Sequence, residues 1–420
     1  MCAGVEDITR WSGNFPSEVP RLLRRDQDLR WLPWALLGAL GWLFVYADRA
    51  VLSPLLREFG RLFHVGPTAL GLLSTAFFLT YTAVQIPAGR LADRISPRTL
   101  LGIGYVGFGL FIALTAFSPG YDGVLACSAL AGLFQGVYYP TQFAVTARRI
   151  PAGVLPLANA VITSGMGAGI ALGYIVASGL GQASWQTPVW VLGVLTMGIG
   201  VVLYLITPKD VRRGDGTAAP AAPVEPAAPD ARRSGRSRFA LLLALNFCSL
   251  YAFFFLLAWL PYALAGMVPW HGLQLGAAAA WPTIVALPAT ILWSARGPQG
   301  AARLRRMRLL LLLAGAALAL VGFARSPLVL LALLTLYGVT GKLTLDPLIL
   351  SEVTASLGEE GYGQAFGLLN FVGMLASVVA PTLSGLLIQH YGGFSAAALV
   401  AAVIVLAGLA LTAWLRPAAA

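Results

Sequence analysis

The segment PKDVRRGDGTAAPAAPVEPAAPDARRSGRSR, Pro208 to Arg238, interrupts an otherwise apolar sequence of 420 residues near its middle. It is rich in Pro, Ala, Gly and charged residues, so it cannot bury a core and is typical of a disordered linker. The parts on either side are apolar, since 58% of all residues are hydrophobic and only 11% are charged. This composition indicates a polytopic membrane protein and excludes an ordinary soluble domain.

Apolar runs long enough to cross a bilayer recur on both sides of the linker. A helix needs about 20 residues to span the hydrocarbon core, and the uncharged runs give twelve such spans, at 31–56, 68–88, 99–118, 123–146, 155–180, 186–207, 239–266, 273–295, 308–324, 327–350, 362–389 and 393–415. The predicted fold class is therefore an all-α integral membrane protein, with twelve transmembrane helices in two pseudo-symmetric six-helix bundles. The expected parts are a cytoplasmic segment at 1–30, bundles at 31–207 and 239–415, the cytoplasmic linker at 208–238 and a cytoplasmic tail at 416–420.

The basic residues predict which side each loop faces. Nearly all of the 28 Lys and Arg residues lie on alternating loops that include both chain ends, whereas Arg57, Arg61 and Arg325 lie on the opposite side. By the positive-inside rule both termini are cytoplasmic, which requires an even number of spans. The net charge of +11 is thus a signal of topology and does not indicate nucleic-acid binding. We expect a multi-pass protein of a cell membrane, the bacterial inner membrane in particular.

Small residues recur at every fourth position in the fifth and eleventh predicted spans: Gly165, Gly169 and Gly173 in one, and Gly373, Ser377, Pro381 and Gly385 in the other. This spacing lets helices approach closely. Two interpretations stay open, ordinary helix packing and close contact between two halves that rock against each other.

Asp48 and Arg49 stand side by side in FVYADRAVLSP, Phe44 to Pro54, near the end of the first apolar run. A charge at bilayer depth costs from about 2.5 to more than 10 kcal/mol. We expect both side chains to face an aqueous cavity between the halves, each with its own partner. Arg49 is then also able to contact an anionic substrate.

Lys342 and Asp346 lie four residues apart in the tenth predicted span, so they share one helix face. Two interpretations are open here as well. The pair is either an internal ion pair that stabilises the bundle, or a second substrate cation facing Arg49 with a second carboxyl for proton coupling.

GRLADRISPR, Gly89 to Arg98, resembles the loop signature of the major facilitator superfamily, although Ser96 and Pro97 depart from it. The resemblance implies that Gly89, Asp93, Arg94 and Arg98 control the conformational change. Asp93 is suited to cap a helix and to accept hydrogen bonds from the arginines.

Longer stretches resemble one branch, the organic anion transporters of the anion:cation symporter family: YADRAVLSP, STAFFLTYTAVQIPAGRLADR, LAWLPYAL and FGLLNFVGMLASVVAPTLSGLL. The resemblance implies that Tyr46, Asp48 and Arg49 line the substrate cavity and that Asp48 couples transport to protons. The chain departs from that family in its fourth span. There Ser128 stands in place of an arginine and Gln135 in place of a glutamate.

Uncharged polar residues inside the spans complete the predicted site, because such groups cannot favourably face lipid. They either bond neighbouring helices or line water. The candidate substrate-binding residues are Tyr46, Arg49, Tyr81, Gln85, Gln135, Tyr139, Asn246, Lys342 and Asn370.

The function predicted from the sequence is secondary active transport of a small organic anion, a carboxylate or sugar acid, by alternating access with a proton as the coupling ion. A transporter or exporter of a neutral or zwitterionic solute or drug is the alternative, favoured by Ser128 and Gln135. An intramembrane enzyme or a sensor is a more remote one. We expect a monomer in the lipid bilayer, with no cofactor and no nucleic-acid partner. We expect no metal site either, because Cys2, Cys127 and Cys248 lack the spacing of one.

Overall fold

The computed structural model describes residues 31–92, 95–150, 154–207, 229–295, 300–356 and 362–415. Within these ranges the chain is helical and forms twelve spans, which we number in chain order. They are Leu32–Leu62, Pro67–Ala92, Pro97–Thr115, Tyr121–Arg149, Leu155–Leu180, Gln186–Ile206, Pro229–Met267, Gly272–Ala295, Gly300–Val321, the pair Pro327–Thr340 and Lys342–Ser356, Tyr362–His390 and Gly393–Leu411.

Within the described ranges, ten helices are long and apolar enough to cross a membrane. The two spans outside that set are the fourth, which contains Gln135 and Gln142, and the ninth, which begins with several arginines. Both belong to the bundle, since the fourth packs against the second and third and the ninth against the twelfth and tenth. The prediction of twelve transmembrane helices is confirmed.

The packing of the spans repeats between the two halves of the chain. In the first half, the first span packs against the fifth, the second against the fourth and the third against the sixth. In the second half the equivalent pairs, six spans further on, are seventh with eleventh, eighth with tenth and ninth with twelfth. Between the halves, the second packs against the eleventh and the fifth against the eighth, again a symmetric pair. The two bundles are therefore related by pseudo-symmetry.

Three spans differ in detail from the sequence prediction. The first is interrupted by a 3₁₀ turn at Ser53–Leu55, because Pro54 has no N–H for a helical hydrogen bond. The tenth is broken at Gly341, whose backbone is extended. The seventh begins at Pro229, inside the predicted linker, where helix-forming Ala and Arg residues follow the proline. The other residues of that linker, 208–228, lie outside the described residues, as do 1–30 and 416–420.

The glycine stripe of the fifth span packs inside one half. A Cβ atom added to Gly165, Gly169 or Gly173 would overlap backbone carbonyl oxygens of the first span. Close packing was predicted correctly, but the interpretation of this stripe as a contact between halves is wrong. Gly385 of the eleventh span does pack across the halves, against the Pro67 carbonyl of the second span.

Direct hydrogen bonds join the two halves near one end of the helices. Ser53 Oγ donates to the Ala258 carbonyl at 2.6 Å, and Arg57 Nε donates to the Tyr262 carbonyl at 2.7 Å. The Thr68 N–H donates to Gln389 Oε1 at 3.0 Å. Toward the opposite end, Asn370 Nδ2 donates a longer hydrogen bond to Gln85 Oε1 at 3.4 Å, and a Cβ on Gly367 would meet nothing within 4 Å. The halves are thus closed together at the Arg57 end.

The second span packs closely against the eleventh at Gly71, where a Cβ would overlap the Pro381 carbonyl oxygen. We expect Gly71→Val to destabilise this arrangement by about 1–3 kcal/mol, because overpacking forces the helices apart. Gly198→Val is the matched control, since a Cβ there meets nothing within 4 Å. The measurement is the thermal unfolding midpoint of the purified protein in detergent, and equal midpoints for the two variants would contradict the close contact.

Candidate functional site

A cavity of about 600 Å³ lies between the two halves, and we call it the Arg49 cavity. Residues of the first, second, third, fourth, seventh and eleventh spans line it: Asp48, Arg49, Leu52, Ser53, Leu56, Leu73, Ser74, Phe77, Phe78, Ile112, Ser128, Phe254, Leu257, Ala258 and Pro381. Its wall is mostly apolar with a few polar groups, as the walls of small-molecule sites usually are. Asp48 and Arg49 are its only charged lining residues in the described part of the chain.

Asp48 and Arg49 bind different partners, although they are neighbours in sequence. Asp48 is buried at 1% exposure, and its Oδ2 accepts a hydrogen bond of 2.6 Å from Thr196 Oγ1 of the sixth span. Arg49 Nε donates at 2.9 Å to Gln135 Oε1 of the fourth span. Consecutive residues of a helix point about 100° apart, since 3.6 residues make one turn. The two charges therefore do not neutralise each other through a direct ion pair.

Aromatic rings surround the Arg49 guanidinium. Its Cζ lies 4.6 Å from the ring centre of Tyr46 and 4.9 Å from that of Tyr81, with Phe78 and Phe77 at 5.6 and 5.8 Å. A cation over an aromatic face gains about 0.5–2 kcal/mol, the higher value when it is desolvated. The rings thus stabilise a cation at depth without removing its charge. Tyr46, Tyr81 and Gln135, three predicted site residues, converge here on a fourth, Arg49.

Sequence reasoning missed two polar groups of this site. Thr196, the hydrogen-bond donor to Asp48, is an isolated hydroxyl in the apolar stretch VLGVLTMGIG, and this isolation is the signal that could have revealed it. Ser128, noted only as a replacement for an arginine, lines the cavity. It is buried, and its hydroxyl has no hydrogen-bond partner among the described residues.

Other predicted site residues lie away from the Arg49 cavity lining. Gln85 and Asn370 approach each other across the two halves. Asn246 is buried and donates to the Leu369 carbonyl at 3.0 Å, so its contact is with the backbone of the eleventh span. Tyr139 belongs to the helix of the fourth span, and its side chain lies outside the described part.

Lys342 and Asp346 form an ion pair at the start of the second helix of the tenth span. Lys342 lines a separate cavity of about 420 Å³, bounded by the fifth, seventh, eighth and tenth spans. The seventh span lies between this cavity and the Arg49 cavity, and its Leu257 lines both. In this structure, then, Lys342 and Arg49 line adjacent cavities that meet at Leu257.

Two of the four residues predicted to control the conformational change, Gly89 and Arg98, are among the described residues. Gly89 falls within the second helix, and Arg98 stacks on Tyr204 of the sixth span with Cζ 4.1 Å from the ring centre. Asp93 and Arg94 lie outside the described residues.

Glu352 is a buried acidic residue that sequence reasoning missed, because the tenth span was predicted to end at residue 350. It pairs with Arg238 of the seventh span and with Arg303 of the ninth, the latter at 3.6 Å. The described residues contain no group of three His, Cys, Asp or Glu side chains that could hold a metal ion.

Comparison with known families agrees with this architecture. The family model of the Major Facilitator Superfamily matches residues 38–381, which cover both halves and the Arg49 cavity. The chain belongs to the major facilitator superfamily. It is a multi-pass membrane transporter and not an enzyme.

Curated relatives of this superfamily member carry several transporter names. The chain is 26% identical over 415 residues to the mouse voltage-gated purine nucleotide uniporter SLC17A9, covering 91% of this chain and 90% of that protein. It is 28% identical over 162 residues to a D-galactonate transporter of Escherichia coli, covering 38% and 37%. It is 32% identical over 148 residues to the putative glycerol-3-phosphate transporter 2 of Arabidopsis thaliana, covering 34% and 29%.

Among solved structures, the superfamily fold is matched by a bacterial homologue of the human lysosomal transporter Spinster in an inward-facing, unoccupied conformation. The TM-score is 0.74 at 14% identity, over 92% of this chain and 97% of that one. At this identity the match concerns the fold alone.

The hydrogen bond between Arg49 and the neutral Gln135 gives a test of the cavity's charge. We expect Gln135→Glu to place a carboxylate against the guanidinium and to weaken binding of an anion by about tenfold or more, because charge-assisted hydrogen bonds contribute about 1.5–3 kcal/mol. Gln135→Leu is the control, since it removes the same hydrogen bond and leaves the cation. The affinity of the purified variants is measured with a panel of small carboxylates and phosphate esters, and equal losses in both variants would contradict the prediction.

Proposed function

We propose that this transporter moves a small organic anion, a carboxylate or a phosphate ester, through the Arg49 cavity by alternating access. Arg49 binds the anionic group, while Tyr46, Tyr81 and Gln135 hold the guanidinium in place. Asp48 takes up and releases the coupling proton. Both termini are cytoplasmic by the distribution of basic residues, and the membrane is a bacterial inner membrane.

The observation that carries the proposal is the uncancelled charge of Arg49. Among the described residues, ion pairs join Glu352 to Arg238 and Arg303 and join Lys342 to Asp346, whereas Arg49 donates its hydrogen bond to a neutral amide. A desolvated guanidinium that is not in an ion pair is a strong site for the planar oxygens of a carboxylate or phosphate. A bound anion would supply the missing negative charge.

The departures in the fourth span are compatible with anion transport. The organic anion transporters that the chain resembles have an arginine and a glutamate where this chain has Ser128 and Gln135. Losing one charge of each sign leaves the net charge of the cavity unchanged. The hydroxyl of Ser128 has no partner among the described residues, and it is available to a hydroxyl or amide group of the solute.

The names of the relatives support the same class of solute. A purine nucleotide, D-galactonate and glycerol 3-phosphate are all anions with several hydroxyl or phosphate oxygens.

The side on which the halves are closed indicates the conformation. The closed end carries Arg57 and the loop after the first span, and the positive-inside rule assigns that loop to the outer side. We therefore infer an inward-facing conformation.

A second candidate is a carrier driven by the membrane potential without a proton. The relative that matches most of the chain is named a uniporter, and an anion bound to Arg49 carries net charge across the membrane.

A third candidate function is transport of a neutral or zwitterionic solute, favoured by the neutral Ser128 and Gln135. The two experiments below separate these candidates.

The first experiment tests Arg49 as the anion-binding group. We expect Arg49→Lys to lose most of the uptake of the anionic solute and Arg49→Ala to lose nearly all of it, because the planar fork of arginine matches a carboxylate or phosphate better than an ammonium does. Uptake is measured in proteoliposomes with labelled D-galactonate, glycerol 3-phosphate and ATP. Arg61→Lys and Arg61→Ala, at an exposed cation outside the cavity, are the controls. Near-normal uptake with Arg49→Ala would overturn the proposal.

The second experiment tests Asp48 as the coupling group. Its Oδ1 has no hydrogen-bond partner among the described residues, so a proton there does not displace an existing bond. We expect Asp48→Asn to abolish accumulation driven by an imposed pH gradient and to keep solute exchange measurable, because the amide preserves the shape but cannot titrate.

The comparison variant is Asp346→Asn, at the other predicted coupling carboxyl. Accumulation lost with Asp346→Asn and kept with Asp48→Asn would move coupling to the tenth span. If a pH gradient drives no accumulation in the parent but a membrane potential does, the uniporter candidate replaces the proton-coupled one.

A further inference from the structure

The ninth span begins with a group of basic residues that the proposed transport mechanism does not use. They lie outside the lining of the Arg49 cavity, and an uncharged stretch of 16 residues, 309–324, follows them. The distribution of basic residues places this end of the span at the cytoplasmic face. We call the group the ninth-span arginines: Arg303, Arg305, Arg306 and Arg308.

Two of the ninth-span arginines contact neighbouring spans of the second half. Arg303 pairs with Glu352 of the tenth span at 3.6 Å. Arg306 Nη1 donates to the Trp293 carbonyl of the eighth span at 2.9 Å, and its Cζ lies 5.3 Å from the centre of the Trp293 ring. These two arginines therefore fix the start of the ninth span within the bundle.

The other two, Arg305 and Arg308, are not neutralised by any described residue. Arg305 is exposed, and it has no ion-pair partner among the described residues. Arg308 Nε and Nη2 donate to the hydroxyl and the carbonyl of Thr412 in the twelfth span, at 3.1 and 2.6 Å. Because both acceptors are neutral, Arg308 keeps its positive charge, and these bonds use two of the five N–H groups of a guanidinium.

An apolar stripe continues from Arg305 along one face of the ninth span. Leu309 is 47% exposed and Leu312 is 50% exposed. Residues three and four apart are neighbours on a helix surface, so both leucines lie on the same face as Arg305. Exposed leucines of a membrane-spanning helix contact lipid chains, which are equally apolar. Arg305 thus lies at the end of a lipid-facing stripe, about 6 Å along the helix axis from Leu309.

The length of the uncharged stretch places Arg305 and Arg308 at the depth of the lipid headgroups. Its 16 residues span about 24 Å as a helix, whereas the hydrocarbon core is about 30 Å thick. A short span draws its flanking charges toward the hydrocarbon, and long arginine side chains then extend to the headgroups. Trp414, two residues after Thr412, is 68% exposed. Tryptophan is enriched at this level of the membrane.

We propose that Arg305 and Arg308 bind the phosphate of an anionic glycerophospholipid at the cytoplasmic ends of the ninth and twelfth spans. The planar guanidinium matches two phosphate oxygens at once, and an acyl chain lies along Leu309 and Leu312. A zwitterionic headgroup would add its own cation beside the arginines, so an anionic headgroup is preferred. Because Arg308 is bonded to Thr412, the bound lipid joins the two spans.

The experiment uses the full-length protein in phosphatidylcholine nanodiscs that contain a small fraction of phosphatidylglycerol with a diazirine on one acyl chain. After illumination, mass spectrometry maps the labelled residues. We expect labelling at Leu309, Leu312 and Trp414 to be about fivefold or more stronger than with the same diazirine on phosphatidylcholine, because each basic residue near an anionic headgroup contributes about 1 kcal/mol. Equal labelling of these residues by the two lipids would overturn the proposal.

Competition separates a lipid from a soluble phosphate. Unlabelled phosphatidylglycerol should reduce the labelling, whereas inorganic phosphate at the same concentration should not, because it has no acyl chain to contact Leu309 and Leu312. Equal competition by inorganic phosphate would assign the arginines to a soluble anion and overturn the lipid site.

Variants test the two arginines. We expect Arg305→Gln to weaken labelling by phosphatidylglycerol about fivefold, and Arg305→Glu to remove the preference over phosphatidylcholine. Arg308→Gln should weaken labelling as well, but it also breaks the contact with Thr412. Arg305→Gln, at an exposed position, keeps the test valid if the Arg308 variant does not fold. Unchanged labelling in both Arg305 variants would contradict the proposal.

Arg325→Gln is the matched control, since Arg325 is an exposed cation just beyond the other end of the ninth span. We expect it to leave labelling of Leu309 and Leu312 unchanged. An equal loss in Arg325→Gln would show a general attraction of the lipid to a basic protein and overturn the site. Since labelling does not depend on solute uptake, failure of this site and failure of the proposed transport function are distinguishable.

Discussion

The cost of placing charge at bilayer depth governs the arrangement of the polar groups in this transporter. The described residues meet that cost in two ways. Glu352 is paired with Arg238 and Arg303, and Lys342 with Asp346, so these charges are matched by opposite ones. Arg49 is instead held by an amide oxygen and aromatic rings, which stabilise the guanidinium and leave its charge available. A cation kept in this way at a cavity wall is suited to a ligand that supplies the opposite charge.

Helix geometry explains why the adjacent residues Asp48 and Arg49 do not form an ion pair with each other. Asp48 projects toward the sixth span and Arg49 toward the fourth, because consecutive side chains diverge around the helix. The close approach of the fifth span, made possible by its glycine stripe, fixes the first span in the bundle. The stripe therefore serves the site indirectly, by holding the helix that carries Tyr46, Asp48 and Arg49.

Much of the fold could be predicted from the sequence, because span length and loop charge depend on local composition. The same local patterns predicted that Arg49 lies inside a span. They also gave the pairing of Lys342 with Asp346 as one of two open interpretations. The partners of Asp48 and Arg49 could not be assigned, since Thr196 and Gln135 lie far away along the chain and become neighbours only through the packing of the spans. The separation of Lys342 from Arg49 depends likewise on the position of the seventh span, which no local pattern specifies.

The seventh span connects the two cavities to the closed end of the molecule. Its Leu257 lines both cavities, the carbonyl of the same residue accepts from Tyr174, and the next carbonyl, of Ala258, accepts from Ser53. Ser53 lies only four residues after Arg49, in the 3₁₀ turn that Pro54 introduces. The helix that carries the proposed anion-binding group therefore also carries a contact that closes the halves. If the halves separate at this end, the bond from Ser53 must break, and the walls of both cavities change together because they share Leu257.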